Sequence, residues 1–161
     1  MHVTFSVGDK AVYPAHGVAE VVGLETREMG GRETTFYILK VLDSGMKVMI
    51  PTGNVNQVGL REIMSKRDVK EVFTILRTNE ISVVEDQTWN RRYREYMDKL
   101  KTGAVFEIAE IVRDLSLIRR GKELSFGERK LLDSAHGLLV KEIAIAKNVE
   151  VSKIEAELDK I

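Results

Sequence analysis

The hydrophobic pattern of this chain changes its period near Ser65, and that change constrains the fold more than any other feature. Before Ser65, β-branched and aromatic residues gather in short runs separated by glycine-containing turns, as in antiparallel strands. After it, apolar residues recur every three or four positions, as on one face of a helix. The 161 residues can hold one ordinary domain or two small ones. We therefore predict an α+β chain in which a small β module precedes a compact all-α helical bundle.

The β module is predicted from four runs and the turns that join them. The runs cover residues 10–14, 17–28, 33–42 and 46–50, with turns at Ala15-His16-Gly17, Gly30-Gly31 and Asp43-Ser44-Gly45. Short, closely spaced antiparallel strands favour a small SH3-like or Tudor-like β-barrel. Pro51 has no N–H to donate to a sheet, which favours an edge strand or the end of a strand, and such an edge could accept a partner strand.

Capping signals set the limits of the domains. Ser65 and Asp68 form a capping box for a helix that we expect to close the β module, and the residues up to Gln87 carry no sustained helical stripe. The predicted organisation is therefore a β module with its closing helix at 1–78, a linker at 79–87 and a helical domain at 88–161.

The helical domain is predicted to contain four helices. They cover about 88–101, 104–119 and 126–147, with a short last helix after that, and their ends are marked by Thr88, Gly121, Ser125 with Glu128, Asn148, and Ser152 with Glu155.

Composition excludes several classes of function. The chain has 25 Lys and Arg against 25 Asp and Glu, which argues against a bulk polyanion binder and leaves room only for a local nucleic-acid contact. It has no cysteine, which excludes disulfides and thiolate zinc sites. No apolar run approaches the roughly 20 residues of a transmembrane helix, and the N-terminal residues lack the layout of a signal peptide. We therefore expect a cytoplasmic protein without membrane contact.

No motif for catalysis or for a cofactor is present. His2, His16 and His136 are not spaced as metal ligands, and the glycines form neither a dinucleotide-binding nor a phosphate-binding loop motif. Acidic pairs at helical spacing, such as Glu107 with Glu110, are expected to be solvated ion-pair partners. We therefore predict no enzyme, no metal site and no cofactor.

The segment Thr88-Trp89-Asn90-Arg91-Arg92-Tyr93-Arg94 places the only tryptophan and three arginines at a predicted helix N-terminus. Arginines neutralise phosphates, and a large apolar ring can wedge at an unstacked base step. Alternatively, Trp89 shares a helical face with Tyr93, Tyr96 and Leu100, so it could be a core residue with the arginines on a solvated face. The pattern leaves both readings open.

A second helix start adds to this predicted surface. Phe126, Arg129 and Lys130 open the helix that follows Ser125, while Met97 lies on the side of its helix next to Trp89. Together they predict a mixed apolar and basic face. For Phe126, a local packing contact at the helix end is the alternative.

Several short motifs occur in one characteristic order from about Phe5 to the C-terminal helices. They are Val7-Gly8-Asp9, Val12-Tyr13-Pro14, His16-Gly17, Pro51, Val58-Gly59-Leu60-Arg61, Trp89-Asn90-Arg91-Arg92-Tyr93, Val112-Arg113-Asp114-Leu115, Leu124-Ser125 and Glu128-Arg129-Lys130. In this respect the chain resembles the CarD/CdnL family of bacterial transcription regulators, and most of all its CdnL-type members from myxobacteria. The N-terminal module alone is also similar to the polymerase-interacting domain of transcription-repair coupling factors, but no helicase motifs follow it.

The resemblance implies a Tudor-like N-terminal domain that binds the β subunit of RNA polymerase. It also implies a helical domain that contacts promoter DNA at the upstream edge of the transcription bubble and so stabilises the open complex. By position, Trp89 matches the family's minor-groove wedge, and Arg91, Arg92 and Arg94 match its basic residues that contact the DNA backbone.

The polymerase contacts implied by the resemblance are Arg27 and the strand from Lys47 to Pro51. Met49 stands where some members carry a basic residue, so a more apolar interface is expected here. We expect a monomer that reaches the nucleoid through the polymerase. The alternative is a protein–protein adaptor, in which the β edge and an apolar helical patch recruit two proteins and no DNA is touched.

Overall fold

The β-rich first half folds into an antiparallel sheet, as its turn-punctuated pattern predicts. A computed structural model describes residues 4–78 and 89–161. The strands are β1 (Lys10–Tyr13), β2 (Gly17–Met29), β3 (Arg32–Val41), β4 (Lys47–Pro51) and β5 (Arg61–Glu62). They lie in the sheet in the order β4-β3-β2-β1-β5. The four predicted runs are confirmed to within one residue at each end, whereas the short β5, which pairs with β1, was not predicted.

The long hairpin of β2 and β3 depends on its two glycines. Gly30 and Gly31 have φ values of 61° and 81°, and Met29 pairs directly with Arg32. Two successive positive φ angles are those of a type I′ turn, which matches the right-handed twist of the strands and favours glycine.

The prediction of a barrel needs one correction, because the Tudor-like sheet is not closed. Strands β4 and β5 are its two edges, and no described residues pair them with each other. After Pro51 the chain forms a 3-10 turn (Thr52–Asn54) and the one-turn helix α1 (Val55–Val58) instead of continuing as a strand. Only two residues then return to the sheet as β5, and they pair with β1.

The core of the β unit lies on one face of this sheet. Val21 and Leu39 are fully buried there. Phe5 lies edge-on to Tyr37 with ring centroids 6.0 Å apart, and its backbone N–H donates to the Tyr37 hydroxyl at 3.1 Å. The N-terminal segment is thereby attached to β3, which sets which face of the sheet remains uncovered within this unit.

In the second half the described residues form five helices: α2 (Lys66–Arg77), α3 (Trp89–Thr102), α4 (Val105–Gly121), α5 (Phe126–Lys147) and α6 (Val151–Asp159). Both predicted capping boxes are confirmed, with Ser65 and Ser125 each accepting the backbone N–H three residues on. The cap predicted at Thr88 lies outside the described residues.

The last two helices join at Asn148, which ends α5 in the left-handed conformation with φ 54°, as predicted. The short last helix was predicted to start with Ser152 and Glu155, but α6 begins one residue earlier, at Val151, and the preceding Glu150 makes no side-chain cap. Its one buried residue, Ile154, packs in the helical core.

The chain divides into two compact units, one ending at Ile63 and the other beginning at Met64. Helix α2 belongs to the second, because its apolar face enters the helical core through Val69, Val72, Phe73 and Leu76. The prediction that this helix closes the β module is therefore wrong. Periodicity shows that a helix has an apolar face but not what covers it. The predicted linker at 79–87 lies outside the described residues, and it connects two helices of one unit.

The helical core is formed mainly by α4 and α5, with Ile111, Leu115, Leu139 and Ile143 fully buried. Each such side chain contributes on the order of 1.5–3 kcal/mol on burial. The apolar stripe of α5 faces this core, with Leu131, Leu132 and Ala135 buried and Leu138 and Ala146 partly buried. Among the described residues, no helix has the length and apolar character needed to cross a membrane.

Candidate functional site

The residues predicted to bind polymerase lie on the sheet face opposite the core of the β unit. Residues paired across neighbouring strands project to the same side of a sheet. Met49 pairs with Ile38, and Pro51 pairs with Phe36, which itself pairs with Glu25. These rows alternate with the buried positions Tyr37 and Leu39, so they form the outer face.

Strand β4 also offers a main-chain edge. Within the described residues it pairs only with β3, so its other side carries unpaired N–H and C=O groups. Lys47 is exposed, Met49 is 37% exposed and Pro51 is half-buried. The edge prediction made from Pro51 is therefore confirmed, and a partly exposed apolar side chain stands in the middle of that edge strand.

Arg27 lies on the same outer face, one row beyond Glu25 along β2. Its Nε donates to Glu25 Oε1 at 2.8 Å, and both side chains are exposed. The structure thus brings Arg27, Lys47, Met49 and Pro51 onto one surface, with Phe36 and Ile38 half-buried among them. We call this surface the sheet face.

The residues predicted to contact DNA divide between solvent and the interior of the helical unit. Arg91 and Arg94 are exposed on the first turns of α3, whereas Arg92 is half-buried. Met97 is partly buried and packs against the helical core, which makes it a boundary residue. Helix α3 begins at Trp89, but the side chains of Trp89 and Asn90 lie outside what the structure describes. The two readings of Trp89 therefore remain open.

Helix α3 is held to the unit by a buried polar cluster that includes Tyr96. The Tyr96 hydroxyl donates to Asp114 Oδ2 at 3.3 Å, and Arg113 Nε donates to Asp114 Oδ1 at 3.1 Å. Burial and the adjacent Asp114 carboxylate raise the pKa of Tyr96 well above its ordinary value, while the Arg92 guanidinium opposes the rise. Asp114 is fully buried, so these hydrogen bonds offset part of the cost of removing its carboxylate from water.

The Glu128 carboxylate, in the first turn of α5, also contributes to the raised pKa of Tyr96. Glu128 is the third residue of α5 and reaches back to the Ser125 N–H at 3.0 Å. Two residues before it, Phe126 is 75% exposed, so the alternative of a local packing contact is wrong. Arg129 and Lys130 are exposed as well. We call the exposed residues of these two helix starts, Arg91, Arg94, Phe126, Arg129 and Lys130, the helical face.

Sequence reasoning missed the buried acidic residues. Asp114 and Glu142 are 0% and 3% exposed, and Glu142 accepts the Met64 backbone N–H at 2.8 Å, where the helical unit begins. For Asp114 a signal was available. It lies three residues after Ile111 and one before Leu115, on the apolar stripe of α4, where a charged residue needs buried partners.

The two described histidines, His16 and His136, share no site, and His2 lies outside the described residues. His16 lies in the turn before β2, as predicted, with its ring 4.8 Å from that of Tyr13. His136 is half-buried on α5. Within residues 4–78 and 89–161, no group of three or more His, Asp or Glu side chains is arranged to hold a metal ion.

Comparison with known proteins agrees with the division into two units. Residues 5–64 match the family model described as "CarD-like/TRCF RID domain", and residues 71–159 match the model described as "CarD, C-terminal domain". The chain is 32% identical over 152 residues to "Putative transcription factor YdeB" of Bacillus subtilis, covering 94% of this chain and 98% of that protein.

Two solved structures are similar to part of the chain. One is "CdnLNt" from Myxococcus xanthus, with 52% identity and a TM-score of 0.34, covering 41% of this chain and 93% of that one. The other is the 72-residue N-terminal domain of Myxococcus xanthus CarD, with 36% identity and a TM-score of 0.32, covering 37% of this chain and 79% of that one.

Proposed function

The chain belongs to the CarD family of transcription factors, and from that premise we propose that it binds the β subunit of RNA polymerase and stabilises the open promoter complex. The β unit makes the polymerase contact, and the helical unit touches promoter DNA at the upstream edge of the bubble. The protein acts as a cytoplasmic monomer and reaches the nucleoid through the polymerase. The observation that carries the proposal is the helical face, which presents an exposed phenylalanine among exposed basic residues.

The sheet face supports the polymerase contact. A strand of the β subunit could add to the open edge of β4 by main-chain hydrogen bonds, which give affinity without requiring a particular sequence. Met49 would supply an apolar anchor, and Arg27 and Lys47 would supply charged contacts. The paired Glu25 limits the free charge of Arg27, so Met49 is expected to contribute more than the ion-pairing residues.

The helical face supports the DNA contact. Arg91, Arg94, Arg129 and Lys130 are exposed cations that can neutralise phosphates, and Phe126 is an exposed ring that can pack against an unstacked base or a sugar. Trp89, at the start of α3, is the proposed wedge. Because Arg92 is half-buried and acts on the pKa of Tyr96, we assign it mainly to holding α3 in position.

The expected DNA affinity is that of a contact which acts only when the protein is tethered to the polymerase. A few arginine–phosphate contacts alone give non-specific affinities of roughly 10⁻⁴ M or weaker. Tethering through the polymerase raises the effective DNA concentration to about the millimolar range, which favours an occupied open junction by about tenfold, or about 1.4 kcal/mol. The effect requires that the contact prefer the open to the closed complex, because equal affinity would shift nothing.

A crosslinking experiment tests the proposal. A photoreactive amino acid at position 126 should crosslink to promoter DNA in the polymerase complex, more strongly on a pre-melted promoter than on a closed one. The matched control is position 106, where Phe106 is 38% exposed on α4, outside the helical face. The protein–protein adaptor predicts no DNA crosslink from position 126, and equal crosslinking from both positions would also contradict the assignment.

A further inference from the structure

The helical unit contains an open groove that the proposed function does not use. Its volume is about 1440 Å³, and it lies between α2 and α4 with the end of α6 at its side. Buried residues of the helical core, including Phe73 and Val112, form the floor together with the half-buried Leu117 and Leu158. None of the residues of the helical face lines it.

The walls of the groove are strongly basic although the whole chain has no net charge. Eight Lys and Arg residues line it, against two carboxylates, Glu157 and Asp159. The eight are Lys66, Lys70, Arg77, Arg113, Arg119, Arg120, Lys147 and Lys160. Such a concentration in a concave surface focuses positive potential and attracts an anionic ligand.

Some of these cations already contact other residues of the helical unit. Those residues indicate which chemical groups the groove can bind. Lys147 forms an ion pair with Glu157 at 3.5 Å, and Arg120 Nη2 donates to the carbonyl oxygen of Ile161 at 3.2 Å. Between them, Leu158 packs against the helical core. The segment Glu157-Leu158-Asp159 therefore fills one side of the groove by combining carboxylates with an apolar side chain.

Three cations on the other side of the groove are not neutralised by any described residue. Lys66, Lys70 and Arg119 are exposed, and their side chains make no ion pair or hydrogen bond with any residue in the described ranges. Arg77 lies over the Phe73 ring at 5.6 Å, which leaves its guanidinium edge available to an acceptor. These four cations surround apolar floor residues of α2 and α4.

We propose that this groove is a docking site for an acidic segment of a partner protein in which carboxylates alternate with apolar side chains. The charge complementarity and the apolar floor together favour this occupant over a nucleic-acid backbone. A phosphodiester backbone has no apolar side chain to pack against Leu117 and Leu158, whereas an acidic segment can place apolar side chains there between its carboxylates. None of the residues that line the groove belongs to the sheet face or to the helical face, so the groove would recruit a further protein to the promoter complex.

Binding of a defined peptide to the full chain tests the proposal. The probe is a short fluorescein-labelled peptide of repeated Glu-Leu-Asp units, and the control peptide is its uncharged Gln-Leu-Asn counterpart. The acidic peptide should bind saturably, and salt should weaken the binding. Lys70→Glu and Arg119→Glu should each weaken it by about tenfold or more. Lys153→Glu, an exposed α6 position outside the groove, should change it by less than about twofold.

Three results would overturn the proposal. The acidic peptide could fail to bind, it could bind no better than the uncharged peptide, or Lys153→Glu could weaken it as much as Lys70→Glu. A short DNA duplex that displaces the peptide and loses affinity in Lys70→Glu would identify the groove as a DNA site instead. Equal thermal unfolding of the three variants shows that the fold is intact, since all three positions are on the surface.

Discussion

At the scale of single residues, Tyr96 has the most constrained environment on α3. Its hydroxyl is buried and donates to Asp114 at 3.3 Å, and burial together with the Asp114 charge raises its pKa. The unfolded chain returns Tyr96 to its ordinary pKa of about 10. Its contribution to the free energy of unfolding is therefore fully present below pH 10 and declines as the pH rises above that value.

The variant Tyr96→Phe tests this environment. At neutral pH it should lose about 1.5–3 kcal/mol of unfolding free energy, because a buried hydrogen bond to a carboxylate is removed. Above pH 10, the unfolding free energy of the wild type should fall more steeply than that of the variant. Chemical denaturation of both proteins across this pH range measures the difference, and parallel curves would show that the Tyr96 proton is not held more tightly in the folded chain.

The Tyr96–Asp114 cluster shows why the sequence predicted the exposed residues of the helical face better than the buried residues that hold their helices in place. Arginines and Phe126 at helix starts can be found by reading the chain, because capping boxes and charge are local signals. The partners of Asp114 come from α3 and from α4, and the influence of Glu128 comes from α5. Only packing brings these helices together, so the position of Asp114 on an apolar stripe is a signal of a buried charge but does not identify its partners.

At the scale of elements, β4 is the strand on which the polymerase contact depends. Met49→Asp places a charge at the centre of the proposed interface and should weaken binding of the β subunit by about tenfold or more. The matched control is Leu24→Asp on β2, where the side chain is 51% exposed and, because Leu24 pairs with the buried Tyr37, projects from the opposite face of the sheet. Both variants should unfold at nearly the wild-type temperature. Equal binding by the two would move the interface away from β4.

The elements also show what hydrophobic periodicity cannot predict, which is the surface that an apolar helix face packs against. The strands, the two capping boxes and the end of α5 at Asn148 were predicted correctly, because turns and caps are encoded within a few residues. The unit to which α2 belongs was not predicted correctly. The amphipathic pattern of Val69, Val72 and Phe73 shows that the helix has an apolar face, but that face could pack on any apolar surface. The two-residue β5 is too short to carry a pattern of its own.

At the scale of the whole molecule, α2 belongs to the helical unit although residues 79–88 separate it from α3 along the chain. A protease site introduced within 79–87 should allow the chain to be cut there without separating its pieces, because the α2 side chains Val72, Phe73 and Leu76 remain in the core with α4 and α5. The cut protein should elute from gel filtration as one species under native conditions. Separation into two independent species would instead support a domain boundary at residue 78.

The central claim is that the polymerase-bound chain stabilises the open complex through its helical unit, and the lifetime of open complexes on one promoter tests it most directly. Wild-type protein should lengthen that lifetime, and Trp89→Ala should return it close to the value without the protein while polymerase binding stays unchanged. If Trp89 is a surface wedge, the variant should lose less than about 1 kcal/mol of unfolding free energy, whereas a core tryptophan would lose about 3–5 kcal/mol. An unchanged lifetime in Trp89→Ala, or a loss that accompanies a collapsed melting curve, would contradict the account.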